Sequence, residues 1–337
     1  MKSQPAQRVC LVTGGAGFIG SHLVERLVAR GDHVVVVDNL STGRRSNLAA
    51  VSSSNVSFVH ASVSEALARF TPGEFAEIYH LAAAVGVRLV IEQAIRTIET
   101  NVLETSAILQ FASRGATPLL LASSSEVYGK GSKTPFAEDD DVVYGPTIFS
   151  RWSYACSKAI DEYLALAHHR EHGLPAVIVR FFNTVGPRQV GDYGMVLPRF
   201  VAAALAGRPL EVHGDGRQSR CFCDVRDVVG ALPRLLAEPA CVGRVFNLGS
   251  DKPIQIGELA ALVRDTLGST SPIVFVPYET VFGAGFDDLR DRRPDLTRIR
   301  QAIGFEPSIP LPQTIRDIAQ AMQRQASEAS SVQEVRA

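Results

Sequence analysis

The chain predicts an α/β fold, a parallel sheet covered by helices on both faces with a smaller lobe after it. Three observations carry this. Short apolar runs recur through the first half of the 337 residues, most of them followed by an amphipathic stretch. That is the pattern of parallel strands joined by helical crossovers. A glycine cluster, Gly14, Gly15, Gly17 and Gly20, lies between the first strand and the first helix. From about Asn183 the alternation loosens, and glycine and proline punctuate shorter elements: Gly186-Pro187, Pro198, Pro209, Gly214-Asp215-Gly216.

In order, Val9 to Val12 is the first strand and Ser21 to Arg30 the first helix. Val34 to Val37 is the second strand and ends at Asp38. Residues 39 to 55 read as a loop with a short helix, Val56 to His60 as the third strand, and Ser64 to Phe70 as a helix. Glu77 to Leu81 is the fourth strand, and Ala82, Ala83 and Ala84 after it suit a backbone pressed against a ligand. Ile91 to Arg114 is a long helix and Pro118 to Ala122 the fifth strand. A polar loop spans 129 to 150, Ser153 to Glu171 is another long helix, and Ala176 to Phe181 the sixth strand. Beyond it, helices are expected over Leu197 to Ala206, Asp227 to Leu236 (with Pro233 inside), 257 to 268 and 311 to 325. Arg244 to Leu248 is a strand suited to rejoining the sheet. The expected division is 1–182 for a Rossmann-type doubly wound domain and 183–325 for a substrate lobe, with segments near 220–250 returning to the first. The polar tail 326–337 is expected to be frayed.

The strand–glycine turn–helix–strand order has a specific chemistry. The first glycines let the chain turn sharply and approach a pyrophosphate, and the last lets helix and strand pack closely. The helix N-terminus offers N–H groups and partial positive charge to phosphates. Gly14, Gly17, Phe18, Ile19 and Gly20 line such a turn. Asp38 stands at the second strand end, where a carboxylate accepts hydrogen bonds from an adenosine ribose and repels a 2′-phosphate, so NAD is expected rather than NADP. Arg44 and Arg45 are the residues that point the other way.

Bulk properties exclude other classes. Hydrophobic residues make up 46% and charged residues 20%, and the net charge is −1. No long basic run suggests a nucleic-acid footprint, and no apolar stretch approaches the ~20 residues of a membrane span. The opening MKSQPAQR leads straight into a core strand, so a cytoplasmic protein is expected. Five cysteines, Cys10, Cys156, Cys221, Cys223 and Cys241, form neither a disulfide framework nor a zinc set, and no metal is expected.

Tyr154 and Lys158 are four apart on a predicted helix and share one face. An ammonium near a phenol lowers its pKa, and a phenolate can take a proton from a sugar hydroxyl while hydride leaves the same carbon. The other reading is a surface tyrosine packed on a lysine stem. Leu119 to Tyr128 reads LLLASSSEVY, an apolar strand ending in Ser123, Ser124, Ser125 and Glu126. A hydroxyl there can bond the substrate oxygen. Glu126 is either a helix cap or a carboxylate with chemistry beyond simple alcohol oxidation. Arg220 suits a diphosphate because its planar fork bonds two oxygens at once; its alternative is an ion pair with Asp224 or Asp227.

The T-G-G-x-G-F-I-G turn, the serine-rich strand end and Tyr154-x-x-x-Lys158 resemble the extended short-chain dehydrogenase/reductase superfamily, whose members act on nucleotide-diphosphate sugars. The resemblance runs from Val9 to about residue 320. It takes in His80-Leu81-Ala82-Ala83, Thr100-Asn101, Phe182-Asn183-Thr184-x-Gly186-Pro187-Arg188, Arg220 within QSRCF, and Phe246-Asn247-Leu248-Gly249. Gly145-Pro146 with Ser150-Arg151-Trp152-Ser153-Tyr154, and Arg292-Arg293-Pro294-Asp295 followed by Gly304-Phe305-Glu306-Pro307, look like UDP-glucuronic acid decarboxylases. Carried over, the resemblance implies catalytic roles for Ser125, Glu126, Tyr154, Lys158 and Arg292. It implies NAD contacts from the glycine turn, Asp38, Asn39, Leu81, Ala82, Ala83, Asn101, Tyr154 and Lys158. It implies UDP-sugar contacts from Ser124, Arg151, Asn183, Val196, Arg220 and Arg292, and a homodimer packed through the two long helices. Three positions depart from the pattern: Ser62 replaces an aspartate facing the adenine, Ser124 a threonine, and Phe286 a tyrosine of some relatives.

The implied reaction oxidises C4 of UDP-glucuronic acid, releases carbon dioxide from the resulting β-keto acid, and gives a UDP-4-keto-pentose or, after hydride return, UDP-xylose. A UDP-sugar 4-epimerase, a 4,6-dehydratase and a non-catalytic nucleotide-binding regulator on the same fold are the alternatives. The dehydratases usually carry an aspartate where this chain has Ser125.

Overall fold

The computed structural model describes residues 7–84, 93–131, 133–191, 195–277, 280 and 291–334, with the side chain of Arg151 and those beyond 327 excepted. The expected helix start at Ile91, the Phe286 position and the last three residues lie outside these.

The first half alternates as its apolar runs predict: β1 (Val9–Thr13), α1 (Phe18–Ala29), β2 (His33–Asp38), β3 (Val56–His60), α2 (Val63–Leu67), β4 (Glu77–His80), α3 (Ala94–Gly115), β5 (Leu119–Ser124), α4 (Arg151–His172) and β6 (Ala176–Phe181). β7 (Thr184–Val185), α5 (Val196–Leu205), β8 (Leu210–His213), β9 (Ser219–Cys221), β10 (Cys223–Asp224) and α6 (Val225–Ala237) follow. The chain then forms β11 (Arg244–Leu248), β12 (Pro253–Gln255), α7 (Ile256–Thr266), β13 (Ile273–Val276), β14 (Asp291–Arg292), α8 (Thr297–Ile303) and α9 (Leu311–Glu334). Seven strands form one sheet in the order β11-β6-β5-β4-β1-β2-β3, with every pairing parallel.

The inner strands β1, β2, β5 and β6 are largely apolar because both faces are covered. Along β1, Cys10 and Val12 pack with Leu23 and Leu27 of α1 and Leu232 and Leu235 of α6. Leu11 between them faces the opposite layer, with Ile108 and Phe111 of α3 and Ala165 of α4. Leu197, Phe200, Leu259, Val263, Ile315 and Ile318 form a separate core where α5, α7 and α9 meet. Three small sheets, β7 with β10, β12-β9-β14 and β8 with β13, build the rest.

At the tail, where fraying was expected from 326, α9 continues to Glu334. No glycine or proline interrupts the sequence after Pro312, so nothing in it stops the helix. Among the described residues no helix is long and apolar enough to cross a membrane.

Candidate active site

The glycine turn closes as its residue types require. Gly14 is left-handed, with φ +71°, and a Cβ there would lie 2.8 Å from the Ala82 nitrogen. A Cβ on Gly20 would lie 2.1 Å from the Gly14 carbonyl oxygen. Only glycine lets β1, α1 and the end of β4 approach this closely. Gly17 caps α1 in an extended conformation with no capping side chain, and the first turn carries no acid. Phe18 and Ile19 begin the helix, so its N-terminus is fit for an anion.

Asp38 holds this turn as well as facing it. Its Oδ2 accepts from the Ala16 N–H at 3.0 Å and its Oδ1 from the Leu40 N–H at 2.8 Å. Arg45 lies over the Phe58 ring at 5.0 Å. Arg44 borders a cavity of about 680 Å³ whose walls include Arg199 and Met322 but not Asp38. Of the two arginines that could have favoured a 2′-phosphate, Arg45 is thus engaged with Phe58. Asn39 is exposed, its Oδ1 accepting from Ser41 N–H at 3.0 Å. The Ser62 hydroxyl caps α2, accepting from Glu65 N–H at 3.3 Å, which accounts for a serine at this position.

Leu81, Ala82 and Ala83 continue β4 at the sheet's C-terminal edge, half-buried. Asn101 is wholly buried. It accepts from the Ala84 N–H at 2.8 Å and donates to the Ser157 hydroxyl at 3.1 Å. Its polar groups tie the end of β4 to the residue before Lys158, a bracing role beside the cofactor contact that the resemblance implied.

On α4 the spacing works as read, and a third residue joins it. Tyr154, Lys158 and Asp161 fall at i, i+4 and i+7, one stripe of the helix. Lys158 Nζ donates to Asp161 Oδ2 at 2.7 Å, both side chains being buried. Burial raises the Tyr154 phenol, Glu126 and Asp161 push it the same way, and a hydrogen bond with Ser124 opposes them. Lys158, the residue expected to lower this phenol, has its charge matched by Asp161. Asp161 itself is raised by burial against the pull of Lys158. Below the stripe His80 is buried, and burial and Lys158 lower its pKa to about 3. As a neutral ring it links the Thr13 hydroxyl at 2.8 Å to that of Thr105 at 3.2 Å.

Ser124 and Ser125 separate in role. Ser124, at the end of β5, meets the Tyr154 phenol and accepts from the Glu126 N–H at 3.2 Å. Ser125 is buried at the head of a 3₁₀ turn, Ser125–Tyr128. That turn carries Glu126, to which Arg292 donates. Arg292 reaches it from β14, which runs parallel to β9 with Arg292 opposite Arg220. Strand pairing therefore sets the two arginines side by side, which their separation in sequence could not show. Asp224 accepts from Arg226 at 2.8 Å and from Thr314 at 2.7 Å, and Asp227 from Ser308 at 2.8 Å.

Asn183 presents a buried amide nitrogen with no acceptor among the described residues, a donor suited to a ligand oxygen. Val196 opens α5. The Arg151 side chain lies outside the description. All five cysteines are free thiols, and burial pushes that of Cys221 up to about 12. Among the described residues no cluster of His, Cys, Asp or Glu could hold a metal ion.

A parallel sheet whose first turn is shaped for a pyrophosphate, with a tyrosine–lysine stripe at its C-terminal edge, defines a dinucleotide-dependent enzyme of the short-chain dehydrogenase/reductase type. Residues 10–249 match the model of the NAD dependent epimerase/dehydratase family. The chain belongs to that family, and its cofactor is NAD. It is 42% identical over 313 residues to the UDP-N-acetyl-alpha-D-glucosaminuronate decarboxylase of Bacillus cytotoxicus, covering 92% of this chain and 96% of that one. It is 39% identical over 326 residues to UDP-glucuronic acid decarboxylase 2 of Arabidopsis thaliana, covering 95% and 70%. Among solved structures, dTDP-glucose 4,6-dehydratase of Streptomyces venezuelae with NAD bound superposes with a TM-score of 0.83 at 30% identity, covering 94% and 97%. An epimerase of Methanothermobacter thermautotrophicus superposes with a TM-score of 0.88 at 26% identity, covering 96% and 95%.

Proposed function

We propose that the chain is a carboxy-lyase that decarboxylates a UDP-hexuronic acid, UDP-glucuronic acid foremost, through a C4-ketone. The observation that carries this is the Glu126–Arg292 pair beside Tyr154. C4 oxidation alone uses Tyr154, Lys158 and Ser124. A buried arginine held against a carboxylate at the same site adds a partner for the substrate's C5 carboxyl group. NAD, which the glycine turn, Asp38 and the Tyr154–Lys158 stripe would hold, would supply the acceptor for the C4 hydride and the means to return it.

Tyr154 takes the C4 hydroxyl proton, with Ser124 hydrogen-bonding the same oxygen. The ketone that forms is β to the carboxylate, so the C5–carboxyl bond breaks with its electrons moving into the C4 enolate, and carbon dioxide leaves. Arg292 orients the carboxylate, and Glu126 orients the group that returns a proton to C5. Arg220 and the Asn183 amide hold the diphosphate. The sugar nucleotide lies between the 1–182 domain and the 183–325 lobe. The homodimer is supported by the apolar side chains that α3 and α4 leave exposed, Ile95, Leu103, Ile160 and Tyr163, which a second copy would cover.

Mass spectrometry after incubation with NAD and UDP-glucuronic acid tests the reading, with UDP-N-acetylglucosaminuronic acid and UDP-glucose in parallel. Loss of one carbon dioxide from a uronic acid is expected. Full retention of the carboxyl carbon alongside C4 inversion would replace the reading with an epimerase.

A further inference from the structure

The pairing of Glu126 with Arg292 joins two segments far apart in sequence, and neither segment is regular enough to hold itself in place. Glu126 sits on a four-residue 3₁₀ turn and Arg292 on a two-residue strand. One buried side chain touches the surroundings of both. Asn247, on β11 at the edge of the main sheet, is fully buried. Its Oδ1 accepts from the Tyr128 hydroxyl at 2.7 Å. Its Nδ2 donates to the Phe136 carbonyl at 2.9 Å and to the Asp295 carbonyl at 3.3 Å. Its backbone N–H donates to Glu138 Oε1 at 2.9 Å.

Each contact leads to the catalytic pair. Tyr128 ends the turn that carries Glu126, and it is stacked on Phe136 with ring centres 4.7 Å apart and planes within 11°. Arg180 covers the Tyr128 ring at 4.6 Å. Phe136 in turn clamps the arginine segment: its N–H donates to the Arg293 carbonyl at 2.8 Å, and its carbonyl accepts from the Asp295 N–H at 2.7 Å. The Asn247 amide thus bonds the glutamate's turn with its acceptor and the arginine's segment with its donors. No other residue type of this size offers both at once. Loss of the amide would take the acceptor from the Tyr128 hydroxyl and one donor from each of two carbonyls, all in a buried place.

We propose that Asn247 is a positioning residue for the carbon–carbon bond-breaking step: it fixes the spacing of Glu126 and Arg292 from the edge of the sheet. It touches neither Tyr154 nor Lys158, so the oxidation half of the turnover does not depend on it. This rests on the decarboxylase reading above.

The test separates the two halves in a single turnover of the NAD-loaded enzyme with UDP-glucuronic acid, following NADH absorbance and released carbon dioxide together. Asn247→Leu keeps the branched shape and removes the amide. The expected result is NADH formation within 3-fold of the parent and carbon dioxide release slowed at least 10-fold, with the C4-ketone accumulating. Tyr128→Phe removes one hydroxyl only and is expected to slow release by a smaller factor; it carries the test if Asn247→Leu does not fold. Equal loss of both halves would mark Asn247 as a general fold residue, and no change in either would show that the pair needs no such support. Both results overturn the inference. If the parent itself forms NADH but releases no carbon dioxide, it is the decarboxylase reading that has failed.

Discussion

Removing the Ser124 hydroxyl should move the working pH of the enzyme upward. In the structure that hydroxyl is the group opposing burial, Glu126 and Asp161 at the Tyr154 phenol. A hydrogen bond to a charged group contributes about 1.5–3 kcal/mol. At 1.36 kcal/mol per unit, its loss in Ser124→Ala raises the phenol by about 1–2 pH units. On the acidic limb the rate follows the phenolate fraction, so kcat/KM at neutral pH should fall about 10–100-fold while the plateau at high pH is largely retained. The assay is the pH profile of kcat/KM from NADH formation, beside Ser124→Thr, which keeps the hydroxyl and should restore the limb. Ser124 also accepts the Glu126 N–H, so a stability loss of about 1 kcal/mol accompanies the alanine variant. An acidic limb that stays in place, or moves down, in a folded Ser124→Ala would refute the argument.

Three other outcomes follow from particular contacts. Glu126→Gln should bind NAD as the parent does and still form NADH, but lose most carbon dioxide release; near-normal release would remove the carboxylate from the mechanism. Asp38→Ala loses two backbone hydrogen bonds of the glycine turn as well as any ribose contact. Titration calorimetry should therefore show NAD binding weakened at least 10-fold with no gain for NADP. Far from the site, Glu77 is bonded to Arg30 at 2.5 Å and to the Tyr79 hydroxyl at 2.8 Å. Burial raises its carboxyl, but Arg30 and Tyr79 outweigh burial and hold it low. A carboxyl depressed on folding stabilises above its unfolded pKa of about 4.3, and that stability is lost as pH falls through the folded value. Glu77→Gln should thus lower stability by about 3 kcal/mol at pH 7, with the gap to the parent closing below pH ~4; a gap that persists in acid would show that packing, not charge, is at work.

The main sheet was legible because its inner strands are mostly apolar runs buried on both faces, while β3 at the edge exposes Ser57 and His60. β5 runs two residues past its apolar stretch, to Ser124, because main-chain pairing with β6 continues to Phe181. The glycine turn and the Tyr154–Lys158 spacing are local patterns and could be read directly. Three features could not. The Lys158–Asp161 bond had a signal, the Y-x-x-x-K-x-x-D stripe, but a helix face does not say whether an acid three residues on turns to the lysine or to solvent. Arg220 beside Arg292 depends on a strand pairing across 72 residues of sequence. Asn247 lies inside a recognisable motif, yet its bonds run to segments 109 to 119 and 48 residues away, and nothing in FNLG specifies them.

The electrostatics of α4 set what the tyrosine needs before it can act as a base. Burial and two nearby carboxylates hold the Tyr154 phenol high, while the lysine on its face is matched by Asp161 at 2.7 Å. A phenol held high keeps its proton at neutral pH, and only its minor phenolate form can take one from a sugar hydroxyl. Oxidation at C4 would therefore gain from added positive charge beside the phenol, which a bound oxidised nicotinamide would supply. A lysine released from Asp161 would act in the same direction. Within the Tyr154–Lys158–Asp161 stripe the acid thus sets how strongly the lysine can activate the phenol.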